Sequence, residues 1–149
     1  MDDLSFYKGK CVLLTGHTGF KGMWLSLLLL RAGAEVTGFS LDAPTAGGME
    51  ALSRLGILKE IRDVRGDVRD LVTLQHAFRE ACPEVVFHLA AQPIVRTSYR
   101  QPVDTFAANV MGTVNLLECV RTSDTVRSAL VVTTDKVYEN KEWAWGYRE

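Results

Sequence analysis

The chain has no surplus of positive charge. Its 17 lysines and arginines face 18 aspartates and glutamates, leaving a net charge of −1. Without a basic field, nothing draws it to nucleic acid or to an anionic membrane surface. Long apolar runs are missing too. The longest, residues 27–30 with Trp24 and Leu25 just before it, falls far short of the ~20 residues that span a bilayer. The opening MDDLSFYKGK has no apolar h-region, so no secretory signal is expected. Cysteine is scarce, and Cys11, Cys82 and Cys119 share no CxxC spacing, so no metal site is expected. Cys11 and Cys119 lie in apolar surroundings and suit small core residues of a reducing cytosol, which makes the expected setting cytoplasmic. Internal repeats, low-complexity tracts and linkers are likewise missing, which leaves 149 residues as about one domain.

What the sequence does have is alternation. Residues 11–15 form a short apolar run that reads as a strand buried on both faces, 84–91 as a further buried strand, and 35–41, 61–66 (the weakest) and 128–134 as the other strands. Between them lie helical patterns at 21–31, 49–56, 70–82 and 103–121. The first is predicted to end at Gly33 as a C-cap, and Asp70 is the expected N-cap of the third. Five strands alternating with helices predict an α/β fold, a doubly wound parallel sheet with right-handed crossovers. The expected strand order is 3-2-1-4-5, with a topological switch point between strands 1 and 4.

The segment TGHTGFKGMW, residues 15–24, sits between the first strand and the first helix. Gly16 suits a tight turn, Gly19 lets backbone approach a pyrophosphate, and Gly22 lets the helix pack closely. The helix N-terminus adds free N–H groups and the positive end of a dipole. Phe20 opens that helix. His17 and Lys21 lie in the phosphate turn, either as cofactor contacts or as solvated turn residues. An acid ~20 residues past the glycines usually holds the adenosine ribose of NAD. Here Ser40 stands at that place, with Asp42 two residues on, so the strand leaves NAD and NADP open. No arginine stands beside Ser40 in the sequence to pair with a 2′-phosphate. His88 on its apolar strand reads as a satisfied core histidine.

The TGxxGFxG spacing resembles the fingerprint of the extended short-chain dehydrogenase/reductase family, a Rossmann fold. Further fragments carry the same likeness. GDVRD, with Asp67 and Val68, resembles the family's adenine-contacting segment. HLAA, with Leu89, Ala90 and Ala91, resembles the strand end along the cofactor. NVMGT contains the family's helix asparagine, Asn109. TTDK, with Thr133 and Thr134, closes strand 5 where the family keeps its catalytic hydroxyl. Together with HLAAQPIVRTSY and KEWAWGYRE, these are similar to the sugar-nucleotide 4,6-dehydratases. Lys136 stands where the dTDP-glucose and GDP-mannose members carry glutamate, which favours a CDP-sugar.

The resemblance implies NAD as cofactor and CDP-glucose as the nucleotide-sugar substrate. It implies a lyase reaction: oxidation at C4, water elimination across C5 and C6, and return of hydride to C6. Thr134 would hydrogen-bond the 4-hydroxyl and Asp135 would protonate the departing 6-hydroxyl. Lys136 would act at C5 as base or as a cation neutralising Asp135 or a developing enolate. A lysine base would need a pKa well below ~10.4. Gln92 is placed with the substrate; Arg96 is either a substrate contact or an ordinary loop arginine. A homo-oligomer is expected, with no nucleic-acid or membrane partner.

The family's YxxxK pair does not occur. Tyr138 and Lys141 are spaced three, in a segment that does not read as helix. The resemblance therefore implies the dinucleotide-binding part of a longer enzyme, inactive alone, without the last strands and the sugar-binding domain. The alternatives are another NAD-dependent nucleotide-sugar dehydratase or epimerase, or a non-catalytic dinucleotide-binding module.

Overall fold

The computed structural model describes residues 4–42, 46–134 and 137–147. After a short 3-10 turn at Leu4–Tyr7 come β1 (Cys11–Thr15), α1 (Phe20–Arg31), β2 (Glu35–Ser40), α2 (Ala46–Arg54), α3 (Ile57–Glu60) and β3 (Arg62–Arg65). The second half holds α4 (Leu71–Ala81), β4 (Val85–His88), α5 (Val95–Arg100), α6 (Pro102–Phe106), a π turn (Ala107–Met111), α7 (Gly112–Arg121) and β5 (Ser128–Val131). The strands form one parallel sheet in the order β3-β2-β1-β4-β5. Neighbouring β1 and β4 send their crossovers to opposite faces, so the switch point lies between them.

Each sheet face has its own core. Val12, Val36 and Val85 point to one side and meet Met23 and Leu29 of α1, Leu52 of α2 and Ile57 of α3. Leu13, Phe39 and Val86 point to the other and meet Leu74 and Phe78 of α4 and Leu116 and Cys119 of α7. Successive strand residues thus alternate between two apolar layers, which is why β1 reads as a continuous apolar run rather than an alternating one.

Local signals set the helix ends. Asp70 caps α4, its carboxylate accepting from the amides of Val72 and Thr73 at 3.0 and 3.1 Å. Gly33, at φ +81°, takes the left-handed conformation that closes α1. The structure departs from the sequence expectations in several places: the helix read at 49–56 runs from Ala46 to Arg54, α3 was not predicted, and β4, read to 91, ends at His88. The helix predicted over 103–121 begins at Pro102 and is widened by the π turn. A further short helix, α5, lies between the prolines Pro93 and Pro102, where none was predicted. β5 ends at Val131 rather than at 134, because its partner β4 ends at His88 and only the Val132 amide still reaches the His88 carbonyl.

Candidate active site

All five strands run in one direction, so the residues that follow them collect at one edge of the sheet. Gly16 to Gly22 follow β1, Ser40 ends β2, Asp67 and Val68 follow β3, Leu89 to Gln92 follow β4, and Thr133 and Thr134 follow β5. Asp135 and Lys136 lie outside the described residues.

The three glycines of the turn answer to different constraints. Gly16 has φ +78°, and a Cβ there would stand 2.8 Å from the Ala90 amide nitrogen. It therefore allows both the turn and the close approach of β4. A Cβ on Gly22 would stand 2.1 Å from the Gly16 carbonyl, so it is the turn, more than the sheet, that α1 packs against here. At Gly19 a Cβ would meet only the Gly16 carbonyl, at 3.4 Å, so the fold itself leaves room for a side chain. Gly19 is the N-cap of α1, a place glycine suits, and close approach by a ligand is a second physical reason for glycine there. No side chain caps α1, which leaves the amides of its first turn to an outside acceptor. Such a turn suits a diphosphate. Phe20 beside it is exposed.

His17 points inward. Its ring is fully buried against Gly38 of β2, where a Cβ would stand 2.4 Å from the ring. Nε2 donates to Asp63 Oδ1 at 2.9 Å, while Nδ1 is buried with no hydrogen-bond partner. Burial lowers the His17 pKa, with Asp63 pulling the other way. Of the two readings of His17 in the sequence, the solvated one fails. The ring is a buried strut between the glycine turn and β3.

A second buried histidine organises the switch point. Thr113 donates its hydroxyl proton to the Asn109 carbonyl at 2.7 Å, so at 3.2 Å it must accept from His88 Nε2. His88 Nδ1 is then the acceptor for the Thr15 hydroxyl at 2.7 Å, and Thr15 Oγ1 in turn accepts from the Ala90 amide at 3.2 Å. Burial lowers the His88 pKa and so favours the neutral imidazole, in which Nδ1 plays this acceptor part. The core role expected for His88 is what the structure shows.

Asn109, inside the π turn, grips the backbone of Gln92. Its carbonyl oxygen accepts from the Gln92 amide at 2.7 Å, and its amide donates to the Gln92 carbonyl at 3.1 Å. The Gln92 side chain bonds Ile94 and Thr105. Arg96 is exposed on α5. After β3, Val68 is buried, and the Asp67 carboxylate receives both the amide and the guanidinium of Arg69, which holds its pKa below the usual range. Asn115 of α7 donates to the carbonyls of Val68 and Arg69 at 2.9 and 3.0 Å, fixing this segment. Thr133 and Thr134 are exposed beyond β5.

The fold gives Ser40 a neighbour that lies far from it in the sequence. An arginine does stand beside Ser40. It is Arg65, paired with Ser40 across the β2–β3 ladder. Thr15, Asp63, Arg65 and Asn115 are the site residues that the sequence alone did not single out. A cavity of about 500 Å³ between Lys141, Trp143, Trp145 and Tyr147 lies within residues 139–147 and shares no residue with this edge. Among the described residues no group of histidine, cysteine or acidic side chains could hold a metal ion, and no helix is long and apolar enough to cross a membrane.

The sheet order and the glycine turn at the switch point define a Rossmann-type domain. The chain matches the family model described as GDP-mannose 4,6 dehydratase over residues 13–142, and it belongs to that family. It is 51% identical, over all 149 of its residues and 41% of the relative's length, to the CDP-glucose 4,6-dehydratase of Salmonella typhimurium. It is 33% identical to the CDP-paratose 2-epimerase of Salmonella typhi, over 88% of this chain and 38% of that one. An epimerase structure from Methanothermobacter thermautotrophicus superposes with a TM-score of 0.83 at 28% identity, covering 99% of this chain and 42% of the other. The UDP-glucose 4-epimerase of Thermus thermophilus, in complex with NAD, gives a TM-score of 0.66 at 35% identity, over 76% of this chain and 34% of that one. The chain thus spans about two fifths of the length of these relatives.

Proposed function

We propose that this chain is the cofactor-binding part of an NAD-dependent nucleotide-sugar 4,6-dehydratase acting on CDP-glucose. The observation that carries the reading is Gly19. The fold leaves it free to be larger, yet it sits at the uncapped N-terminus of α1, where a pyrophosphate needs bare backbone. The similarity to a CDP-glucose 4,6-dehydratase supports the substrate, and the NAD complex of a related epimerase supports the cofactor.

In this reading Gly16 to Gly22 and the first turn of α1 bind the diphosphate. Asp67 and Val68 flank the adenine, Ser40 and its neighbours the ribose, and Leu89 to Ala91 line the rest of the cofactor's path. When bound, the cofactor would supply a hydride acceptor and donor. Thr134 orients the 4-hydroxyl, Asp135 protonates the departing 6-hydroxyl, and Lys136 acts at C5, where the neighbouring C4 ketone has made the proton acidic. Gln92, set by Asn109, and Arg96 lie on the substrate side of the switch point. CDP-4-keto-6-deoxyglucose is the product of the longer enzyme, and the chain alone is inactive.

Calorimetry on the 149-residue chain tests the cofactor part. AMP binds and CDP binds more weakly, because the pyrimidine pocket lies mainly outside this domain. Gly19→Val abolishes AMP binding while leaving the melting temperature within a few degrees. Tighter binding of CDP than of AMP would contradict the assignment, as would a Gly19→Val variant that binds AMP normally.

A further inference from the structure

The end of β2 carries no acid at the place where this fold usually holds the adenosine ribose. Ser40 is there, with its hydroxyl buried and bonded to Thr18 at 2.7 Å. Thr18 in turn donates to the Leu41 carbonyl at 3.0 Å, so Ser40 is the donor of the pair. Both hydroxyls are engaged with the protein. Charge reaches this corner from β3 instead. Arg65 Nε and Nη2 donate to Asp63 Oδ2 at 3.2 and 2.8 Å, and Nη1 donates to the Leu41 carbonyl at 3.3 Å and to Asp42 Oδ1 at 3.2 Å. Asp63 is itself tied to the buried His17 ring. The guanidinium is thus fixed on one edge by a tethered carboxylate and in its plane by a backbone carbonyl. Only Asp42, with its side chain 87% exposed, holds the other edge.

We propose that Arg65 reads the 2′ position of the adenosine ribose and admits a 2′-phosphate there, so that the site takes NADP as well as NAD. The inference rests on the cofactor reading above and goes beyond it in assigning the discriminating residue. An exposed ion pair contributes little, so the Asp42 side chain swings away at small cost. That frees one N–H of Nη1 beside the remaining N–H of Nη2, a fork that fits two phosphate oxygens. With NAD, Asp42 stays on Arg65 and offers its carboxylate to the ribose hydroxyls. The same pair therefore serves either ligand, with Asp42 toward the diol and Arg65 toward the phosphate.

Calorimetric titration of the 149-residue chain with 5′-AMP and with adenosine 2′,5′-bisphosphate tests this without any turnover. The bisphosphate binds at least as tightly as AMP. Arg65→Gln weakens the bisphosphate tenfold or more and AMP less than threefold. Asp42→Asn, an exposed change that leaves the fold alone, tightens the bisphosphate severalfold and does not tighten AMP. A wild-type preference for AMP above tenfold, or an Asp42→Asn variant that leaves the two ligands in their original ratio, overturns the proposal while the cofactor site stands. Binding of neither ligand overturns the cofactor reading and this proposal together.

Discussion

Gly22 and Gly19 lie three residues apart, and a Cβ that Gly19 has room for would collide at Gly22. At Gly22 the new Cβ would meet turn backbone that cannot move aside, so Gly22→Ala destabilises by about 1–3 kcal/mol or more. Denaturant unfolding measures it, and a loss below about 0.5 kcal/mol would mean that the turn is softer than its contacts imply. The buried histidines make a second residue-scale prediction. His17 and His88 both titrate below the ordinary 6.5 when folded, chiefly through burial. The unfolded chain therefore binds more protons than the folded one in acid. The stability they contribute is fully present above about pH 6.5 and falls as the pH drops below it, by up to about 1.4 kcal/mol per pH unit for each histidine. His88→Gln lowers the melting temperature at pH 7.5 but loses less on going to pH 5.5 than the parent does. Parallel acid limbs for parent and variant would show that His88 is not neutral in the fold.

At the scale of elements, capping and clamping hold the site's edge in place. Asp70→Ala removes the two amide contacts that start α4 and costs about 1 kcal/mol in denaturant unfolding. An unchanged midpoint would mean that the cap is replaced by water. That cap and the Gly33 stop are legible in the sequence because they are local: a carboxylate reaches amides two and three residues on, and glycine alone takes φ +81° easily. The glycine turn is legible for the same reason, and the strand order follows from the alternation of elements and the handedness of crossovers. What escaped is non-local or weakly marked. α5 has only six residues, between two prolines, with Ile94 at its N-cap offering no side-chain acceptor. The π turn carries no composition signal, although its Asn109 was singled out through the family likeness. Arg65 stands 25 residues from Ser40 in sequence, and only the register of β2 on β3 brings the two together. His17 lies in a turn whose side chains read as cofactor contacts or as solvated residues, and its burial depends on Gly38 of the neighbouring strand giving it room.

The described residues present apolar surface in two places. Val103, Phe106, Val110, Val114 and Leu117 run at spacings of three and four along α6, the π turn and α7, with Val103 80% and Phe106 68% exposed. Leu130 and Val132 are about half exposed at β5, which has β4 on one side and no strand on the other among the described residues. Such a stripe and such an open strand edge each favour self-association. At low micromolar concentration, light scattering is expected to give a dimer or larger species, and Phe106→Glu with Val110→Lys is expected to shift it toward the monomer. A monodisperse monomer from the unaltered chain would contradict this. The central claim is that the sheet edge above β1, β2 and β4 holds a dinucleotide, and amide chemical shifts of the 149-residue chain titrated with NAD test it most directly. The account predicts saturable shifts at residues 16–22, 40–42, 67–68 and 89–91. Shifts confined to residues 139–147, around Trp143 and Trp145, would contradict it.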